Sequence, residues 1–154
     1  MSGAIDEAVP DVVELHGGCH CGSLRLVYRT ALPLAETAPR ACDCSYCRMH
    51  GAAYVSDPSG GLLISVSDPE ALSSYRQGSE AALFRLCGRC GVLVAVTYAQ
   101  DGREYAAVNA GCLDLRDRFA ASVEASPQRL SREQKIGRWT QVWIPEIRWE
   151  GGQR

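Results

Sequence analysis

Hydrophobic and polar positions alternate through Ser23-Leu24-Arg25-Leu26-Val27-Tyr28-Arg29. Leu24, Leu26 and Tyr28 fall on one face, Arg25 and Arg29 on the other, as in a half-buried strand. Short apolar runs follow at residues 52–55, 62–66, 81–86, 92–98, 105–109 and 139–144. Turn signals separate them: Asp57-Pro58-Ser59-Gly60-Gly61, Asp68-Pro69, Gln77-Gly78-Ser79 and Asp101-Gly102. Gln100-Asp101-Gly102-Arg103 predicts a hairpin, because Asp-Gly accepts the positive φ of a tight turn. Helical signals are few: one turn at 45–51, one at 69–72, and a short segment at 131–136 where Ser131 and Gln134 have the spacing of a capping box. Trp139 and Trp143, four positions apart, would share a face of a strand, and together with Trp149 they are expected to pack under the sheet. The expected architecture is mostly β, of antiparallel strands with few short helices. No repeat, low-complexity tract or composition break divides the chain. It reads as a flexible N-terminal arm at 1–11 and a single domain at 12–150.

Composition changes this picture in one respect. A chain of 154 residues with 46% hydrophobic and 22% charged residues can bury a core without covalent staples. It nonetheless carries eight cysteines. Thiols not needed to rescue a weak core point to chemistry. The charge is a formal −2, which offers no global field for a phosphate backbone, and nucleic acid is not an expected partner. The first residues lack a basic region followed by an apolar stretch, and no apolar run approaches a membrane span. A cytoplasmic location without a membrane partner is expected.

Seven of the cysteines cluster. Cys19 and Cys21 lie in Gly-Gly-Cys-His-Cys-Gly, Cys42, Cys44 and Cys47 in Cys-Asp-Cys-Ser-Tyr-Cys, and Cys87 and Cys90 in Cys-Gly-Arg-Cys-Gly, while Cys112 stands alone. Close pairs on glycine turns can bring sulfurs within about 4 Å of one another, as zinc with bonds of about 2.3 Å requires. The economical assignment puts Cys19, Cys21, Cys87 and Cys90 on one closed, structural zinc. Cys42, Cys44 and Cys47 have no local fourth donor, so they predict a second zinc with an exchangeable position, the arrangement of catalytic sites. Three thiolates weaken its Lewis acidity and suit it to carrying a thiolate rather than ionising water. Two Zn2+ per chain are expected. A disulfide framework is the alternative, disfavoured by the missing secretion signal and by the strain of a Cys-x-Cys bridge. Cys112 reads as a small apolar residue, His20 as a neighbour of the ligands, and His16 and His50 as ordinary surface or half-buried histidines.

These residues resemble the glutathione-dependent formaldehyde-activating family. Its pattern G-G-C-H-C-G, C-x-C-S-x-C-R with G-A, C-x-x-C-G and G-x-L-D matches Gly17 to Gly22, Cys42 to Arg48 with Gly51-Ala52, Cys87 to Gly91, and Gly111 to Asp114. The resemblance implies a β-tent fold of stacked antiparallel sheets with one structural and one exchangeable zinc. The implied activity is that of a carbon–sulfur lyase, condensing formaldehyde with glutathione to an S-hydroxymethyl adduct and running the reverse. Small-molecule thiol and aldehyde are the implied partners. Within this resemblance Arg48 could pair with a substrate carboxylate, and Ser45 could cap the turn or donate to an oxygen. The chain departs from the pattern at Asp43, where the family usually has His and which would set a negative charge beside an electron-rich site. It also departs at Cys112, and at 118–125, where an expected His-aromatic pair is missing. Two function classes remain open: this enzyme, and a non-catalytic zinc-binding module for protein interaction or metal holding.

Overall fold

The computed structural model describes residues 11–151, and the expected flexible arm lies, except for Asp11, outside the described residues. The chain runs β1 (Val13–Gly18), β2 (Leu24–Thr30), β3 (Arg40–Cys42), α1 (Ser45–His50), β4 (Ala53–Val55), β5 (Gly61–Val66), β6 (Leu72–Tyr75), β7 (Leu83–Cys87), β8 (Leu93–Gln100), β9 (Arg103–Asn109), β10 (Val123–Ala125), α2 (Arg132–Val142) and β11 (Glu146–Gly151), with short 3-10 turns between some of them. Mostly β, as expected, it forms two sheets. One has four strands in the order β1-β2-β5-β11, the other seven in the order β10-β3-β4-β9-β8-β7-β6. Most pairings are antiparallel, and the two late strands differ: β10 joins β3 and β11 joins β5 in parallel.

The alternation in β2 is realised as expected, with Leu24, Leu26 and Tyr28 buried. They pack with Leu15 and Ile64 of the same sheet against Val55, Val94, Ala106 and Val108 of the larger one. The next residues along the same central strands face the other way. Leu93, Val96 and Tyr98 of β8 and Tyr105 and Ala107 of β9 join a second buried cluster with Tyr54, Phe84, Cys47 and Trp143. The centre of the seven-stranded sheet is therefore covered on both faces. That explains why 92–98 reads as an unbroken apolar run rather than an alternating one. The Asp-Gly hairpin joins β8 to β9, pairing Gln100 with Arg103 while Asp101 and Gly102 take φ of 54° and 76°.

The segment at 139–144 corrects the sequence reading. The capping box is present, with Ser131 accepting from the Gln134 amide and Gln134 accepting from the Ser131 amide, but the helix it starts continues to Val142. Spacing four apart places two residues side by side on a helix as well as on one face of a strand, and here the helix prevails. Trp139 and Trp143 stack, with centroids 4.8 Å apart and planes 19° apart, on the helix side of the large sheet. Trp149 belongs to β11. Its indole N–H donates to Glu104 at 2.8 Å, and the buried Arg85 guanidinium lies 5.0 Å over its ring. No helix among the described residues is long and apolar enough to cross a membrane.

Candidate metal centres

Four cysteines from two distant turns meet below the end of β1. Cys19 and Cys21 occupy the turn between β1 and β2, Cys87 closes β7, and Cys90 lies in the turn to β8. Their sulfurs all lie within 4.8 Å of one another. Cys21 Sγ is 3.7 Å from Cys19 Sγ and 3.6 Å from Cys87 Sγ. These are the edges of a tetrahedron with bonds of about 2.3 Å to its centre. They are far too long for a disulfide bond of about 2.0 Å. All eight cysteines are free thiols, so the disulfide alternative is overturned.

The backbone is arranged to favour sulfur as thiolate. The Leu24 amide donates to Cys19 Sγ at 3.2 Å, and the Arg89 and Cys90 amides to Cys87 Sγ at 3.3 and 3.4 Å. The Ser23 hydroxyl, 3.2 Å away, and the Ser23 amide push the Cys21 thiol down to about 6. Burial pushes Cys19 up to about 11. Thiols this close resist ionising together unless a cation shares their charge, so the donor set fits a zinc ion.

The paired glycines before Cys19 are sterically required. A Cβ on Gly17 would lie 1.9 Å from the Cys112 carbonyl oxygen, and Gly18, at φ 150°, would bring one within 2.2 Å of the Leu24 carbonyl oxygen. That close approach lets Gly17 bridge Leu113 while the Asp114 amide donates to the His16 carbonyl at 2.8 Å. The Gly111 to Asp114 motif thus braces the cysteine turn. Cys112 is half-buried, donates to the Leu93 carbonyl at 3.4 Å and belongs to neither cluster. Its thiol is pushed up to about 11, chiefly by burial. His20 is exposed, His16 sits 3.8 Å from Glu14 at the surface, and His50 packs against Tyr46.

The second cluster comes from the strand-to-helix turn β3–α1. Cys42 ends β3, Cys44 caps α1 by accepting from the Cys47 amide at 3.4 Å, and Cys47 lies in the first turn, so the three sulfurs lie within 4.8 Å of one another. Cys47 is buried, with its sulfur 3.1 Å from the Tyr54 hydroxyl of β4. The Gln77 amide group reaches Cys44 Sγ at 3.8 Å. The hydrogen bond with Cys47 pushes the Cys42 thiol down to about 6, and the same bond together with burial pushes Cys47 up. This group too fits a thiophilic cation.

The three-sulfur cluster opens into a cavity. The space, about 760 Å³, lies between the second face of the large sheet and α2. Cys42, Cys44 and Cys47 stand at one end, the Trp139 and Trp143 rings form a wall, and Arg40, Lys135 and Arg138 bring positive charge to it. Arg40 donates to the Ser56 hydroxyl at 2.8 Å, and burial, then the neighbouring Arg138, lowers its pKa. Among the described residues no carboxylate forms an ion pair with any of these three cations. Of the substrate contacts expected from the sequence, Ser45 lines the cavity, whereas Arg48 is exposed and lies outside its wall. Sequence reasoning missed Arg40, Lys135, Arg138, Tyr54 and Gln77. Lys135, Arg138, Trp139 and Val142 share one face of a helix by their spacing, a signal hidden by the strand reading of 139–144.

Asp43 sets its negative charge beside the sulfurs, where it opposes ionisation of Cys42, and its carboxylate is held by the facing segment. Its carboxylate accepts from the Ser126 hydroxyl at 2.5 Å and from the Gln128 amide group at 3.0 Å, while its backbone amide donates to the Ala125 carbonyl at 2.9 Å. Ala125, Ser126 and Gln128 line the cavity, so Asp43 ties that wall to the cysteine turn. Asp43→Ala is expected to lower stability by about 1–2 kcal/mol, allowing for partial exposure, and to speed amide hydrogen exchange across 123–130. Unchanged exchange there would show that the carboxylate does not hold this wall.

The fold resembles that of a Rhodobacter sphaeroides protein of known crystal structure, with a TM-score of 0.50 at 22% sequence identity, covering 87% of this chain and 98% of that one. A model of the glutathione-dependent formaldehyde-activating enzyme family matches residues 14–128, which span both cysteine clusters and the greater part of the chain. The chain belongs to the glutathione-dependent formaldehyde-activating (GFA) family.

Proposed function

We propose that this chain is a zinc-dependent enzyme of thiol–aldehyde chemistry, condensing glutathione or a related thiol with formaldehyde or a related aldehyde to an S-hydroxymethyl-type adduct and cleaving the same carbon–sulfur bond in reverse. The observation that carries this reading is that three cysteines open into a cavity of about 760 Å³ while the four-cysteine cluster stays outside its wall. Bound at Cys42, Cys44 and Cys47, zinc supplies a site with an exchangeable position, its acidity tempered by three thiolates and suited to a fourth sulfur. Cys19, Cys21, Cys87 and Cys90 hold a second, closed and structural zinc.

The protein's own groups do the rest. Arg138, Lys135 and Arg40 face the carboxylates of a thiol such as glutathione, since no described carboxylate of the protein satisfies them. Ser45 is placed to donate to the aldehyde oxygen, and Gln77 and Tyr54 orient the sulfurs through the hydrogen bonds described above. In the forward direction the thiol loses its proton, a sulfur–carbon bond forms at the carbonyl carbon, and the carbonyl oxygen ends as a hydroxyl. Free thiols throughout suit a reducing compartment such as the cytoplasm.

Elemental analysis of freshly purified protein, with two zinc ions per chain as the expected value, and adduct exchange measured above its spontaneous rate test the reading together. A zinc-loaded protein that accelerates exchange with no thiol and aldehyde pair would overturn it in favour of a metal-holding module. Arg138→Ala is expected to raise KM for glutathione about 10-fold, the worth of one partly exposed charge-assisted hydrogen bond, with kcat little changed. The same substitution should leave KM for 2-mercaptoethanol, which has no carboxylate, nearly unaltered. Equal effects on both thiols would remove Arg138 from carboxylate recognition.

A further inference from the structure

Thiol–aldehyde chemistry with formaldehyde offers no apolar group to the aromatic residues that line the cavity. Formaldehyde is a single carbon with no substituent to bury. Glutathione is polar along its length, and the cations Arg40, Lys135 and Arg138 suit its carboxylates. Yet the space of about 760 Å³ falls in the upper part of the range for pockets that enclose drug-sized molecules, roughly 300–1,000 Å³. Beside polar groups that include Glu124, its lining has an apolar and aromatic part: Phe84 from β7, Val96 from β8, Ala107 from β9, and the Trp139 and Trp143 rings from α2 and its end.

This lining is rigid and continuous with the sulfurs. The two indoles stack, and Tyr98 packs on Trp139 at a centroid distance of 5.4 Å, fixing the ring that borders the cavity. Cys47 and Tyr54 belong to the same buried cluster as Phe84, Val96, Ala107 and Trp143, with Trp139 packed on it. A flat apolar group seated on this wall therefore sits beside the three-sulfur end, where a thiol would react. Aromatic rings gain from offset or edge contact with other rings beyond what burial alone gives.

We infer that the aldehyde handled by this chain carries an aromatic substituent, held between the Trp139 wall and the Phe84 side of the sheet, with its carbonyl carbon beside Cys42, Cys44 and Cys47. The inference rests on the thiol–aldehyde reading and narrows its substrate. The step balances without an oxidant or reductant: the thiol sulfur bonds to the carbonyl carbon, the C=O π pair moves to oxygen, and oxygen takes up the proton released from sulfur. A hydrophobic pocket gains 10- to 200-fold in selectivity from a single methylene, so a whole ring should exceed about 100-fold.

The test supplies zinc-loaded protein with glutathione and either benzaldehyde or formaldehyde, and follows adduct exchange by NMR magnetisation transfer. The expected result is an acceleration over the spontaneous exchange rate about 100-fold larger for benzaldehyde than for formaldehyde, and a fall of at least about 10-fold in this ratio for Trp139→Ala. Benzyl alcohol has no carbonyl and cannot react, so saturation-transfer NMR with it reads the wall without turnover. It should bind the native protein and lose contact in Trp139→Ala, or in Ala107→Leu, which fills the cleft from the sheet side, should the tryptophan variant fail to fold. Preference for formaldehyde, or absence of benzyl alcohol contact with the native protein, overturns the aromatic substrate while leaving the thiol–aldehyde reading intact. Acceleration of neither aldehyde overturns both.

Discussion

Cys87→Ala is expected to abolish folding rather than trim stability. Cys87 is the last residue of β7, is buried, and receives the Arg89 and Cys90 amides at its sulfur. Its sulfur lies 3.6 Å from that of Cys21, 66 positions earlier in the chain. Holding a loop of that length closed costs about 4 kcal/mol beyond a constant, a cost that contacts made on folding must offset. A structural zinc adds about 10–16 kcal/mol of binding energy that is realised only on folding, against a total stability of about 5–15 kcal/mol for a typical domain. Loss of even half of that contribution leaves the packing between the two sheets unable to offset chain entropy. The variant should show no cooperative thermal transition by circular dichroism and should accumulate as insoluble protein. Native protein stripped by a strong chelator should behave alike. Cys112→Ala, outside both clusters, should melt within a few degrees of the native chain. A cooperative melt of Cys87→Ala close to that of the native protein would show that the four-cysteine group does not hold the fold together.

The two cysteine clusters were legible in the sequence, and the cavity was not, for a physical reason. Ligand identity is written in the residues themselves, and short Cys spacings place sulfurs near each other through local turns alone. Gly18 was legible as a turn residue and admits the nearby Leu24 carbonyl, while the service of Gly17, admitting the Cys112 carbonyl at close range, depends on a segment nearly a hundred positions away. The cavity wall requires α2 to lie over the large sheet, and the residues that decide this read ambiguously. Trp139 to Ile144 is apolar enough for a strand, and only the continuing helix turns Lys135, Arg138 and Trp139 toward the same space. Strands β10 and β11 escaped for a related reason. They are late, partly exposed edges that find parallel partners far back in the chain, and their stability comes from the β3 and β5 edges they complete rather than from their own pattern. Asp43 shows how a local reading can give half of a role: its charge does oppose ionisation of Cys42, but its hydrogen-bond partners lie more than eighty positions away. In Cys-Asp-Cys the middle side chain points away from the flanking sulfurs, as it does along any extended backbone, and meets Ser126 and Gln128 instead.

Cys44→Ser is expected to leave the protein folded while removing adduct exchange. Cys44 does two jobs with one atom. Its sulfur accepts the Cys47 amide to cap α1, and it is one of the three sulfurs at the end of the cavity. Serine performs the first job better than cysteine, since its hydroxyl is among the preferred helix N-caps. It performs the second poorly, because a neutral hydroxyl is a weak donor for a thiophilic cation beside two thiolates. Cys44 is half-buried and packs on the outside of the second cluster rather than within it, and serine is nearly isosteric, so the melting temperature should stay within a few degrees of the native value. Zinc should fall from two ions per chain to one, and exchange of the thiol–aldehyde adduct should fall by at least about 100-fold, since loss of mere outer partners of a metal site already costs 10- to 100-fold. The pairing of an intact melt with lost exchange separates chemistry from structure, which Cys47→Ser cannot do, because Cys47 is buried against Tyr54 and contributes to the core. Retention of full exchange by Cys44→Ser with one zinc bound would place the reaction away from this cluster, and loss of the cooperative melt would show that the β3–α1 turn, too, depends on its metal to fold.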